Sequence, residues 1–280
     1  MEEKIIVTLT TWSKRIGNIP AVLDTIYAQT RKPDLIVLNL AYDEVIPEVV
    51  HKYIEQHSVE VNRVEDTKVY KKLIPTLKKY PNDCVIAIDD DWLYPQGMIA
   101  EFVEMHRRFP NNPISGNKEV VCGIQCHCGC ASLTKASFFG DYLDMIDNDV
   151  ISNCPSDDMV YSYLSTLSGH PYRRTKNSYF MNMKPYGAVE GYSDNSQYDP
   201  VGPTFEYMIK RFGAIENLMK LYISDESLGE LINEIHVKGI RYYEQKKERE
   251  TEDRIYASYS FRIGHAILKP FRWLKNIIKR

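Results

Sequence analysis

The chain has 280 residues, of which 44% are apolar and 26% charged, an ordinary composition for a globular protein. A net charge of −3 supplies no global basic field, so no nucleic-acid partner is expected, and six cysteines in this length exclude a secreted disulfide framework. No apolar run approaches the ~20 residues of a membrane span, and Met-Glu-Glu-Lys leads directly into a strand-like run, so a reducing cytoplasm is the expected compartment.

Ile5-Ile6-Val7-Thr8-Leu9-Thr10 reads as a buried strand, followed by a polar turn with Lys14, Arg15 and Gly17. Ile19, Val22, Leu23 and Ile26 recur at helical spacing, and Pro20 suits a first turn, so a helix is predicted from Ile19 to Gln29. Leu35 to Leu40 is a second strand, nearly all apolar, as expected where both faces are covered. A helix over Pro47 to His57, a strand over Val59 to Val61, a helix over Tyr70 to Tyr80 and a strand over Val85 to Ile88 follow. This rhythm predicts an α/β layer with a largely parallel sheet, whose ligands bind beyond the carboxyl ends of the strands. Further helices are predicted from Gly97 to Phe109, from a Ser156 cap to Leu167, and through Phe205 to Arg254.

Asp89, Asp90 and Asp91 arrive together where the 85–88 strand ends. Three adjacent carboxylates repel one another, and a divalent cation gives them a reason to converge. Hard oxygen ligands suit Mg²⁺ or Mn²⁺, which bind through a few carboxylates plus substrate phosphates. The plainer alternative is a solvated turn. A second acidic pair, Asp157 and Asp158, opens a predicted helix. Such a pair can act as a general base or simply complement the helix dipole.

Three segments resemble the GT-A fold of nucleotide-sugar glycosyltransferases, most closely the inverting family 2 enzymes of bacterial polysaccharide and lipopolysaccharide synthesis. They are Ile5 to Thr11 with the Ala28-Gln29-Thr30 helix end, the Tyr70-to-Leu77 segment leading into Asp89-Asp90-Asp91, and Ser156-Asp157-Asp158. The resemblance implies a Rossmann-like nucleotide-sugar domain over residues 1–222 and Mn²⁺ or Mg²⁺ as cofactor. It makes Asp91 the direct metal ligand, places Asp89 near the ribose or the metal, and lets Asp90 orient the sugar. Asp158, or failing it Asp157, becomes the general base of an inverting displacement. Lys72 approaches the diphosphate while Lys71 is solvated. Thr8, Thr10 and Asn39 fall where the family holds the base, although many members carry Asp at the position of Asn39 or Asp43. Arg15 is either a nucleotide contact or a solvated turn residue. Gly129 matches a small-residue segment beside the donor sugar.

Cys122, Cys126, His127, Cys128 and Cys130 invite a zinc reading, but structural zinc sites favour paired Cys-x₂₋₄-Cys spacings. Alternating cysteines on a strand share one face, which points to a small apolar core instead. His170 and His236 match no metal motif, and the Tyr-rich stretch 172–207 is a candidate acceptor loop. From Arg254 to Arg280 there are seven Lys or Arg and no acidic residue, so subtracting seven positives from −3 leaves −10 on the preceding residues. Ile267, Phe271, Leu274 and Ile278 share one helical face there, so 223–280 reads as a helical extension with a basic amphipathic tail suited to the inner face of the cytoplasmic membrane. The function expected is transfer of a sugar, with a UDP-sugar as the expected donor, to a glycan or lipid-linked glycan. The competing readings are a nucleotidyltransferase, disfavoured because the segment Thr10 to Gly17 has one glycine, and a non-catalytic membrane-bound carbohydrate-binding protein.

Overall fold

The computed structural model describes residues 3–116, 120–121, 124–125, 127, 131–175, 183–187 and 201–215. Its first half contains β1 (Ile5–Thr10), α1 (Ile19–Tyr27), β2 (Leu35–Ala41), α2 (Glu48–Gln56), β3 (Glu60–Val64), α3 (Ile74–Lys79), β4 (Cys84–Ile88), β5 (Trp92–Leu93) and α4 (Met98–Arg108). The second half contains β6 (Ile114–Ser115), β7 (Val120–Val121), β8 (Ile124–Gln125), β9 (Ala131–Thr134), α5 (Asn148–Asn153), α6 (Asp157–Leu167), β10 (Arg173–Arg174), β11 (Lys184–Pro185) and α7 (Val201–Phe212).

Seven strands form one sheet in the order β10-β6-β9-β4-β1-β2-β3. The pairs β3–β2, β2–β1 and β1–β4 are parallel, β9 joins β4 and β6 antiparallel, and β10 is parallel to β6. The expected mixed, mostly parallel sheet is therefore present. Strand periodicity sends alternate residues to opposite faces. Ile5, Val7, Leu9, Ile36, Leu38, Leu40, Ile86 and Ile88 join the core under α1, α2 and α4. Ile6, Val37, Val85 and Ala87 join the core under α3, α5, α6 and α7. Each large apolar side chain so buried contributes about 1.5–3 kcal/mol of transfer free energy. The same alternation carries the polar residues Thr8 and Asn39 to the second face, and both are buried.

The Tyr70–Tyr80 helix divides in two. A 3₁₀ turn spans Lys68–Lys72, and α3 begins only at Ile74. Pro75 explains the break, because a prolyl ring has no N–H to give and clashes with the carbonyl four residues back. Ser156 occupies the N-cap of α6 but makes no side-chain capping bond, contrary to expectation. The other end of α6 closes as a Schellman motif, in which Gly169 N–H reaches Thr166 O at 3.0 Å and His170 N–H reaches Ser165 O at 2.8 Å. Gly169 takes φ +88° there, a conformation that suits glycine. The short helix α5, capped by Asp147 accepting from Asp149 and Val150 N–H, was not predicted. The helical expectation for 205–254 is met over 205–212, within a helix that starts at Val201; Gly213 at φ +87° ends it, residues 213–215 are not helical, and the remainder beyond 215 lies outside the described residues. No helix among the described residues is long and apolar enough to cross a membrane.

Candidate active site

β1 and β4 lie side by side and parallel, so Thr10-Thr11 and Asp89-Asp90-Asp91 emerge at the same edge of the sheet. Alternation beyond β4 separates the three carboxylates. Asp90 continues the face of Ile86 and Ile88 and is only 2% exposed. Its carboxylate accepts from Thr11 Oγ1 at 2.5 Å and pairs with Arg15 Nη2 at 3.1 Å. Asp89 and Asp91 have side chains 28% exposed. Asp90 is thus a buried anchor for Arg15 rather than a residue able to orient a sugar. Burial pushes its carboxyl up to about 6, against the pull of Arg15 and Thr11. Burial, reinforced by Asp89, also raises the Asp91 carboxyl. Arg15 Nη1 stands 2.5 Å from Asp91 Oδ2, so this arginine is not a solvated turn residue.

Lys72 occupies the other side of Asp89. Its side chain is 7% exposed, with Nζ 2.8 Å from Asp89 Oδ1 and 3.7 Å from Asp157 Oδ2. Burial pulls the ammonium down, but Asp89, Asp157 and Asp158 overcome it and hold the group well above the usual lysine value. Lys72 therefore ties the acidic edge of β4 to the N-terminus of α6. Burial raises the Asp157 carboxyl, with Lys72 opposing.

Thr8 and Asn39 fix this lysine from below. Thr8 Oγ1 donates to Lys72 O at 2.8 Å and lies 2.7 Å from Thr76 Oγ1. Asn39 Nδ2 donates to Thr8 Oγ1 and Thr76 Oγ1, both at 2.9 Å, while Asn62 holds Asn39 Oδ1. Both residues are enclosed in the core, so direct contact with a nucleotide base is replaced by support of the Lys72 turn. Thr10 remains near the edge, with its hydroxyl on Asn39 O at 2.8 Å. Lys71, expected in solvent, is buried and paired with Asp66 at 2.6 Å. Gly129, the four cysteines at 122, 126, 128 and 130, His236 and the tail lie outside the described residues. His170 is a half-buried loop histidine bonded to Asn111 O and packed against Phe138.

Asp158 has a side chain 41% exposed, whereas Asp157 beside it is buried. One residue that sequence reasoning did not assign sits next to Asp158. His127 is buried, with Nδ1 2.8 Å from Tyr172 Oη and Nε2 4.0 Å from Asp158 Oδ1. Its position in the cysteine cluster was the only signal available. Burial, then the charge of Lys72, hold its imidazole well below the usual histidine value. A histidine kept neutral by the fold stabilises the protein above its unfolded value, near 6.5, and that stability is lost as pH falls below it. Urea melts should show a drop in stability from pH 7 to 5 that is smaller in His127→Phe. Equal drops in both proteins would contradict this role.

The edge carries five carboxylates (Asp89, Asp90, Asp91, Asp157, Asp158) against the two cations Arg15 and Lys72. That excess of hard oxygen donors fits a divalent cation, and Arg15 on Asp91 shows that a cation is accommodated there. Among the described residues, the one compact group of three possible ligands is instead Glu3, Cys84 and His106 at the opposite end of the sheet, where Lys135 already neutralises Glu3.

No family profile and no curated protein matches this chain. Solved structures do. The mannosyltransferase PcManGT from Pyrobaculum calidifontis, in complex with GDP-Man and Mn²⁺, superposes with a TM-score of 0.51 at 13% identity, over 95% of this chain and 84% of that one. S. aureus TarS matches with a TM-score of 0.46 at 12% identity, over 66% of this chain and 37% of that one. A 4-diphosphocytidyl-2C-methyl-D-erythritol synthase matches with a TM-score of 0.37 at 14% identity, over 54% and 84%. The likeness to the mannosyltransferase, with the sheet order and helical layers above, places this chain in the GT-A fold.

Proposed function

We propose that the protein is a metal-dependent glycosyltransferase that moves a sugar from a nucleotide donor to a glycan or lipid-linked glycan. The observation that carries this reading is the Lys72 bridge. It joins Asp89, half-buried at the carboxyl end of β4 beside the Arg15-paired Asp91, to the acidic start of α6, at the end of the parallel strands where ligands of such sheets bind. Asp91 and Asp89 would hold Mn²⁺ or Mg²⁺, with Arg15 yielding Asp91. When bound, the metal supplies charge neutralisation at the leaving diphosphate. Lys72 keeps Asp89 oriented and adds positive charge beneath the donor. Asp158, the more exposed carboxylate of its pair, accepts the proton of the acceptor hydroxyl as that oxygen attacks the anomeric carbon, giving inversion. A UDP-sugar is the expected donor.

The test is release of nucleoside diphosphate from a panel of UDP-, GDP- and dTDP-sugars and of CMP from a CMP-sugar, with Mn²⁺ and after chelation. Turnover of one donor class that chelation abolishes supports the reading, and no turnover of any, with Mn²⁺ and a mixed glycan acceptor present, sinks it.

The basic amphipathic pattern of 254–280 supports attachment of the 223–280 extension to an anionic membrane surface, where a lipid-linked acceptor resides. The full chain should co-sediment with anionic vesicles in low salt, and removal of 254–280 should abolish this. Retained binding would place the contact elsewhere.

A further inference from the structure

We propose that His127 is a positioning residue for Asp158, a neutral N–H donor that Tyr172 aims at one oxygen of that carboxylate. The inference rests on the reading of Asp158 as the base. Its geometric warrant is independent of that reading. His127 is wholly enclosed, and its Nε2 has no hydrogen-bond partner among the described residues. A buried polar nitrogen left so costs free energy unless something calls on it. The acidic atom that faces it is Asp158 Oδ1, at 4.0 Å.

Three contacts hold the ring. Its Nδ1 meets Tyr172 Oη at 2.8 Å, its backbone N–H donates to Ser162 Oγ at 2.6 Å, and Tyr161 packs edge-on at 5.2 Å between centroids. Ser162 in turn donates to Asp158 O at 2.5 Å, so the histidine and the aspartate are referenced to the same turn of α6. The tautomer follows from electrostatics. A lone pair on Nε2 would face a carboxylate, whereas a proton there is attracted, so Tyr172 donates to Nδ1 and Nε2 carries the hydrogen. Of the described charged and titratable groups near the ring, Lys72 is close enough for its charge to disfavour ring protonation, Asp157 and Asp158 are on α6, and Tyr161 and Tyr172 are neutral phenols held above their usual value by burial.

The chemical consequence is specific. A neutral N–H directed toward Oδ1 stabilises the ionised carboxylate, the form that accepts a proton. Because burial and Lys72 disfavour a second proton on the ring, His127 does not compete for the proton that Asp158 accepts. The atoms balance without any new reactant: the acceptor O–H bond breaks, the proton goes to Asp158, and His127 keeps its own.

The test is the pH dependence of kcat and of kcat/KM for wild type, His127→Phe, His127→Gln and Tyr172→Phe, with the donor that turns over in the panel and Mn²⁺. Loss of the N–H should move the acid limb of His127→Phe up by about one pH unit, so that turnover at a given acid pH falls about tenfold while donor KM is unchanged. Gln retains an N–H donor and should restore most of the shift, and Tyr172→Phe should shift the limb in the same direction by less. Coincident acid limbs for wild type and His127→Phe would overturn the proposal, as would equal losses in the Phe and Gln variants at every pH. Asp158→Asn distinguishes the two levels of the argument: if it turns over normally, the base assignment fails. In that event ¹³C titration of the Asp158 carboxyl still decides the role of His127, which is lost if that titration is the same in wild type and His127→Phe.

Discussion

Asp158→Asn should lower kcat by about 10²–10⁴-fold while metal-dependent nucleotide binding stays at the wild-type level. The asymmetry between the two acidic residues of α6 is the reason. Asp157 is buried and drawn toward Lys72, which already serves Asp89, so its carboxylate is committed to structure. Asp158 is more exposed and stands beside the histidine. An amide at 158 keeps the shape and removes the basic lone pair. Asp157→Asn should therefore cost stability more than turnover. The opposite pattern, with Asp157→Asn inactive and Asp158→Asn near wild type, would exchange the two roles. A carbohydrate-binding protein without chemistry would have no turnover for either substitution to change.

Lys72→Met should destabilise the fold by about 3–5 kcal/mol, the usual result of removing one partner from a buried ion pair. The lysine is enclosed, and its loss leaves Asp157 as an uncompensated buried charge with Asp89 beside it. Adding Asp157→Asn to Lys72→Met removes that charge, so the double variant should recover much of the lost stability in urea melts. If the two substitutions simply add, the pair is not coupled and Lys72 is not the tie between β4 and α6. Metal binding should weaken in the single variant as well, since Asp89 loses the group that orients it.

Much of this arrangement was legible in the sequence, and the parts that were not have identifiable causes. The parallel strands β1, β2 and β4 were readable because each is a short apolar run whose two faces are both covered. Asp89 and Asp91 stand out in the sequence because carboxylates after such a run need a reason, and the structure leaves both part-exposed at the end of β4. Asp90 was misread because adjacency in sequence hides alternation: its side chain continues the inward face of Ile86 and Ile88. Thr8 and Asn39 were assigned to the nucleotide, yet one face of the sheet turns them toward the Lys72 turn. That turn is a 3₁₀ turn separate from α3, a division the Tyr70–Tyr80 helix expectation missed, and in it the Lys72 carbonyl accepts from Thr8 and Asn39. Lys71 was placed in water by its type alone, whereas its partner Asp66 lies at a loop distance that no periodicity encodes. His127 carried no motif, because its partners Tyr172 and Asp158 are 45 and 31 residues away in sequence and only the fold brings them together.

The central claim is that the edge beyond β1 and β4 binds a nucleotide through a divalent metal on Asp91. The direct measurement is calorimetric titration of UDP, GDP, CMP and dTDP, with and without Mn²⁺, into wild type and Asp91→Ala. One nucleotide class should bind, with Mn²⁺ required and with binding lost in a folded Asp91→Ala. Binding that is independent of Mn²⁺ and unchanged by Asp91→Ala, or no binding of any nucleotide, would contradict it.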